Sequence, residues 1–171
     1  MQRLILPQTR WRKNLKLLVL VFALTAFVSR ADTAGSQLPP AVLGNAGPLQ
    51  GETLNYYENA TGYLTAPQGR GPHGSVILIH EWNGLTDRIR EVADAMAAEG
   101  YIALAADLYS GRTGSNPREN MALVRETLAD PETLIANLNT ASRYLDNRSD
   151  STGKVAAIGW CYGGGVALSF A

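Results

Sequence analysis

One cysteine, Cys161, and two histidines, His73 and His80, are all that the 171 residues offer of the side chains that most often close disulfides or hold zinc. A lone cysteine closes no intramolecular disulfide, and one Cys with two His falls short of a four-ligand structural zinc site. Excess charge is lacking too: 15 Lys+Arg meet 15 Asp+Glu. Without a net basic face there is nothing to hold a phosphate backbone, so nucleic acid is excluded as a general partner. Eight Pro and 17 Gly without a period exclude collagen-like and proline-rich disordered chains. The longest apolar run, Leu17 to Val28, is short of the roughly 20 residues that cross a bilayer. With 46% hydrophobic and 18% charged residues, the composition is that of an ordinary globular chain.

What is present begins with a leader. Arg3, Arg10, Arg12, Lys13 and Lys16 precede the apolar run, and Ser29 and Ala31 supply small residues at a cleavage point. Basic, apolar and small residues in that order make a secretory signal peptide. Residues 1–31 are therefore expected to direct export, to the periplasm or out of the cell. A retained membrane anchor through residues 17–28 is the alternative, because Arg30 lies beside the cut. Residues 32–50, with Gly35, Pro39, Pro40, Gly44, Gly47 and Pro48, read as a linker.

From Gly51 the pattern becomes an alternation of strands and helices. Leu54 to Glu58 and Gly62 to Thr65 suggest a short antiparallel pair at a sheet edge. Ser75 to His80, Tyr101 to Ala106 and Lys154 to Gly159 are near-continuous apolar runs, as in strands buried on both faces of a parallel sheet. Between the first two, Thr86 is an N-cap candidate. Ile89, Val92, Ala93, Met96 and Ala97 share a helical face, and Gly100 can end the helix. A second helix is predicted after Asp130 as N-cap and Pro131 at the first helical position, with Leu134, Leu138, Ala141 and Leu145 on one stripe. The fold class is α/β.

The chemistry concentrates in Gly159-Trp160-Cys161-Tyr162-Gly163-Gly164-Gly165. A strand leads in and an apolar helix start leads out, the setting of a G-x-S-x-G nucleophile elbow with Cys in place of Ser. Gly159 and Gly163 give that tight turn room, and Gly164 extends the glycine run. Cys161 then sits at a helix N-terminus, where the dipole favours the attacking thiolate, and the Tyr162 amide can donate to a developing oxyanion. The competing reading of Cys161 is a small buried hydrophobe, the state of most free cysteines. A dinucleotide-binding turn fits worse, since G-x-G-x-x-G is not matched.

His80-Glu81-Trp82-Asn83-Gly84 ends the first buried strand, at the edge where open α/β sheets place ligands. The Trp82 amide is the candidate for a second oxyanion donor there. Glu81 reads equally as a solvated loop carboxylate or as a partner of Cys161. His80 reads as a hydrogen-bonded packing residue and His73 as a loop residue. Arg112, Arg118 and Arg125 are candidates to hold a substrate carboxylate or simply surface charges, and Asn59 and Asn147 begin N-x-S/T sequons.

HEWNGLTDRIREVADAMAAEGYIALAADLYSGR, from His80 to Arg112, followed by GKVAAIGWCYGGG, from Gly153 to Gly165, resembles the dienelactone hydrolase family of α/β hydrolases. The family pattern is an H/Q-E-x-x-G loop, a D-L-Y after the next strand and a K-V-x-x-x-G-x-C-x-G-G elbow. The resemblance implies an α/β-hydrolase-type, mostly parallel sheet with flanking helices over residues 51–171. It implies Cys161 as nucleophile, Glu81 as the carboxylate that meets the resting thiol, and Trp82 and Tyr162 as oxyanion amides. It also implies a small lactone or carboxylic ester as substrate, an acyl-enzyme intermediate, and no metal or organic cofactor. The family's triad Asp and His lie after the elbow, and the sequence stops ten residues past Cys161. The expectation is thus an N-terminal part truncated after the elbow, with little or no turnover of its own. A non-catalytic α/β-hydrolase-like binding module, or a truncated relic, is the alternative from another class.

Overall fold

The computed structural model describes residues 47–170. The expected leader, residues 1–31, and residues 32–46 of the expected linker lie outside them; residues 47–50 form neither helix nor strand. The elements run β1 (Glu52–Tyr57), β2 (Ala60–Thr65), β3 (His73–Ile79), α1 (Asp87–Ala98), β4 (Ile102–Ala106), α2 (Pro117–Ala129), α3 (Pro131–Asp146), β5 (Ser151–Gly159) and α4 (Tyr162–Phe170). No helix among the described residues is long and apolar enough to cross a membrane.

The strands form one sheet in the order β1-β2-β4-β3-β5. The β1–β2 and β2–β4 pairs are antiparallel, whereas β3 pairs in parallel with β4 on one side and β5 on the other. The expected edge hairpin is present, each of its strands starting two residues earlier than the sequence suggested. Alternation along β3 and β4 divides the core. Val76, Leu78, Ala103 and Ala105 face α1, meeting Ile89, Val92 and Ala93. Ile77, Ile79, Ile102, Leu104 and Ala106 face the other way, toward Leu138, Ala141 and Leu145 of α3 and Val166 of α4. Burying each such Leu or Ile contributes about 1.5–3 kcal/mol, so both strands are fixed by their two faces together.

Helix boundaries follow local chemistry. Thr86 occupies the N-cap position of α1 with extended backbone, but its side chain makes no capping bond. Asp87 in the first turn complements the dipole instead. Gly100, at φ +94, ends the helix as expected, its amide donating to Ala97. Asp130 caps α3 as expected, accepting from the Thr133 amide at 3.1 Å. α2 has no apolar stripe to predict it, with only Asn120 and Leu123 buried. Asn116 caps it through the Arg118 and Glu119 amides, both at 3.1 Å, with Pro117 at its first turn.

β5 departs from expectation. Its apolar run predicts a strand buried on both faces, yet Lys154, Ala156 and Ile158 are exposed. Among the described residues β3 is its only neighbour in the sheet. Val155 and Ala157 pack on the α3 side, while the α1 side of β5 borders an open apolar groove with Val76, Met96 and Tyr101.

Candidate active site

Right-handed crossovers place the site. The chain leaves β3 toward β4 over one face of the sheet and returns from β4 to β5, past β3, over the other. The segments that follow the adjacent strands β3 and β5 therefore diverge to opposite faces, leaving a crevice at their carboxyl ends. Ile79 pairs with Gly159 across that edge. The register thus sets the His80–Gly84 loop beside the Trp160–Tyr162 turn.

The turn has the geometry of a nucleophile elbow. Cys161 lies between β5 and α4 at φ +53, a left-handed conformation that strains any residue with a side chain by about 1–3 kcal/mol. Its side chain is exposed, which removes the buried-hydrophobe reading. The glycines divide by what surrounds them. A Cβ on Gly159 would collide with the Gly163 carbonyl, and one on Gly163 with the carbonyls of Ile79 and His80. Gly163 is therefore required by the end of β3 and not, as expected, by the turn itself. At Gly164 a Cβ would come within 3.2 Å of the Gly159 oxygen, a tight contact, while Gly165 faces open space.

Opposite the elbow, the β3 loop is held by backbone bonds. Gly84, at φ +98, donates to the Glu81 carbonyl at 3.3 Å, and the Asn83 carbonyl accepts from Gly114 at 3.0 Å. A Cβ at Gly84 would lie 2.6 Å from the Arg112 oxygen, so only glycine lets the two loops close. Glu81 and Trp82 are half-buried. Among the described residues the Trp82 and Tyr162 amides make no hydrogen bond, which leaves both donors unspent; the Glu81 carboxylate accepts none either.

His80 behaves as a packing residue, fully buried, with Nδ1 2.6 Å from the Glu81 carbonyl and Nε2 3.2 Å from the Leu108 amide. Burial lowers its pKa below the ordinary histidine value. His73 begins β3. Seven strand residues at about 3.3 Å each put it some 20 Å from the crevice, beside a cavity of about 730 Å³ at the other end of the sheet.

Sequence reasoning left the D-L-Y loop without a role, and the structure gives it one. The buried Asp107 carboxylate accepts from the amides of Tyr109 at 3.0 Å, Gly111 at 2.5 Å and Thr61 at 3.3 Å. Its carbonyl takes Asn137 Nδ2 at 3.0 Å, and Asn137 Oδ1 accepts from the Tyr56 hydroxyl at 2.7 Å. So anchored, Tyr109 donates its hydroxyl to the Trp82 carbonyl at 3.2 Å. Burial, with nearby Tyr162 and Cys161, holds the Tyr109 phenol well above its ordinary pKa, keeping it a donor. An Asp followed four residues later by Gly is the local signal for such a side-chain-to-backbone turn. Arg112 grips Glu126 with both terminal nitrogens, at 2.9 and 2.7 Å, and is not poised as a substrate clamp; Arg118 and Arg125 lie exposed on α2.

The chain is similar to known proteins in sequence and in fold. The model of the dienelactone hydrolase family matches residues 60–171. The protein usf of Aquifex pyrophilus is 33% identical over 129 residues, covering 71% of this chain and 55% of its own. The carboxymethylenebutenolidase of Pseudomonas putida is 27% identical, covering 70% and 54% respectively. The solved structure m3DLH superposes with a TM-score of 0.65 at 30% identity, covering 73% of this chain and 55% of that one. The chain thus spans about half the length of the relatives it matches. Strands β2 to β5 of its mixed sheet, the flanking helices and the elbow of β5 and α4 fall within the matched span, and the chain belongs to the dienelactone hydrolase family of α/β-hydrolase folds.

Proposed function

We propose that this chain carries the nucleophile half of a hydrolase of small lactones or carboxylic esters, with Cys161 as the nucleophile. The observation that carries the reading is an exposed cysteine held at φ +53 on a strand-to-helix turn beside the β3 loop. A strained backbone at such a turn is kept where it lifts a reactive atom into a crevice.

The Cys161 thiolate attacks the carbonyl carbon, and the carbonyl electron pair moves onto oxygen. The amides of Trp82 and Tyr162, both without an acceptor among the described residues, receive that oxyanion. Collapse breaks the acyl carbon–oxygen bond, leaving a thioester on Cys161 and an alkoxide or phenolate. Glu81, half-buried in the loop beside the elbow and accepting no hydrogen bond among the described residues, is the base proposed to take the thiol's proton and return it to the leaving oxygen. Water then attacks the thioester, returning the acid and the free thiol. That last step needs a base, and neither histidine serves: both His80 ring nitrogens are engaged by backbone groups, and His73 lies at the far end of β3. The 171 residues alone are therefore expected to acylate once and turn over slowly.

Mixing the chain with excess p-nitrophenyl acetate tests this. A fast release of one equivalent of p-nitrophenolate, followed by a slow phase, supports the reading. Absence of the burst, or a burst undiminished in Cys161→Ala, overturns it. Reading the gene past the Ala171 codon tests the second half: an open frame supplying an Asp and then a His at predicted strand ends supports a complete hydrolase, and a stop codon supports a relic. Export through residues 1–31 is also proposed; a mature N-terminus near residue 32 supports cleavage, and a retained Met1 in the membrane fraction supports the anchor.

A further inference from the structure

We infer that His80 is a positioning residue of the proposed acyl transfer: its neutral imidazole clasps the loop carrying Trp82 to the loop carrying Tyr109, and so sets the second oxyanion amide opposite Cys161. The inference rests on the reading of Cys161 as nucleophile.

Three segments meet at this residue. Its own carbonyl, with that of Ile79, is the surface that forbids a side chain on Gly163, so the backbone of His80 lies against the elbow. Its Nδ1–H donates to the Glu81 carbonyl at 2.6 Å, and that carbonyl belongs to the same planar peptide unit as the Trp82 amide. Its Nε2 accepts from the Leu108 amide at 3.2 Å, in the loop whose Tyr109 hydroxyl holds the other side of Trp82. The Trp82 amide is therefore held twice: His80 fixes the carbonyl of its own peptide unit, and Tyr109 fixes the carbonyl of the next. Only the neutral ring with its proton on Nδ1 makes both bonds, since a charged ring has no acceptor for Leu108. The surroundings favour that form. The ring is fully buried, with the Tyr109 ring centroid at 4.6 Å and the Tyr162 centroid at 6.2 Å. The Asp107 carboxylate pulls the other way, and desolvation outweighs it.

Such a clasp acts on the transition state and not on the thiol. Displacing an oxyanion donor by about 1 Å costs up to about a hundredfold in rate, whereas alkylation of Cys161 by iodoacetamide needs no oxyanion donor. The experiment compares wild type, His80→Leu and His80→Gln of the 171-residue chain in two reactions, the p-nitrophenyl acetate burst and iodoacetamide alkylation. His80→Leu is expected to slow the burst at saturating ester by about tenfold or more while alkylation keeps its rate. His80→Gln, which presents one donor and one acceptor, recovers most of the loss. Equal burst rates in wild type and a folded His80→Leu overturn the clasp and leave the nucleophile reading intact. A wild type without a burst overturns that reading, and this inference with it. Nitrogen NMR of the wild-type imidazole decides the matter if His80→Leu does not fold: a neutral ring protonated on Nδ1 near pH 7 supports the clasp, and a charged ring or one protonated on Nε2 overturns it.

Discussion

Gly163, Gly164 and Gly165 are chemically identical and adjacent, yet replacing each by alanine is expected to change stability in a graded way that reverses sign. At Gly163 the new methyl would enter the space of the Ile79 and His80 carbonyls. Those are backbone atoms at the fully buried end of β3, so nothing flexible can give way, and the cost lies at or above the overpacking range of about 1–3 kcal/mol. At Gly164 the methyl would sit 3.2 Å from the Gly159 oxygen. That distance needs a shift of a few tenths of an ångström, and the strain roughly cancels the helix propensity gained. At Gly165 nothing lies within 4 Å and the position is exposed. Alanine there gains helix propensity in α4, stabilising by about 0.5–1 kcal/mol. Urea unfolding followed by circular dichroism reads all three. The order expected is Gly163→Ala below wild type, Gly164→Ala near it and Gly165→Ala above it. A Gly163→Ala as stable as wild type would refute the packing of the elbow on the end of β3.

Other perturbations reach the same region. Cys161→Gly removes the strain of φ +53 and should raise stability by about 0.5–1 kcal/mol, after the added freedom of glycine in the unfolded chain is discounted; a loss of stability in the urea series would contradict a strained cysteine. Because burial lowers the folded pKa of His80, the unfolded chain takes up a proton first as pH falls below about 6.5. The stability that neutral His80 contributes is complete above that value and is lost as pH falls toward the folded pKa. An unfolding midpoint as steep in pH for His80→Gln as for wild type would count against this. Asn137→Ala strips partners from the Tyr56 hydroxyl and the Asp107 carbonyl and should cost about 1–3 kcal/mol, with faster hydrogen exchange at the Tyr109 and Gly111 amides. Unchanged exchange there would separate Asn137 from the D-L-Y loop.

The parts of the fold legible in the sequence are those in which one physical cause dominates a stretch of chain. β3 and β4 are apolar on both faces because both faces are covered, and the runs announce it. α3 shows its stripe because Leu138, Ala141 and Leu145 all point into one core. α2 shows no such stripe: Asn120 and Leu123 are its only buried residues among 13, while Arg118, Met121, Arg125, Glu126 and Leu128 face solvent. Its remaining signal was the cap, Asn116 before Pro117, which by itself also suits a turn. β5 misled for the opposite reason, since its apolar content is that of a central strand while Ala156 and Ile158 face an open groove.

The site divides along the same line. The turn at Cys161 and the need for Gly159 stand out in local sequence because an elbow is a local object, whereas Gly163 is required by the carbonyls of Ile79 and His80, which only the sheet brings there. The clasp at His80 does not stand out either. It joins Glu81 to Leu108, 28 residues from His80 in sequence, and no spacing rule links a strand-end histidine to a backbone amide in another loop. A reading from sequence alone rightly placed His80 in the core. What it lacked was the register of β3 between β4 and β5, which decides that a packing residue at that strand end touches the elbow with its carbonyl and both flanking loops with its ring. The division of labour is then physical: the strained turn that carries Cys161 is a local object, and the position of the Trp82 amide depends on long-range register. A change that shifts β3 by even a fraction of a residue against β5 should therefore spare cysteine alkylation and slow ester acylation.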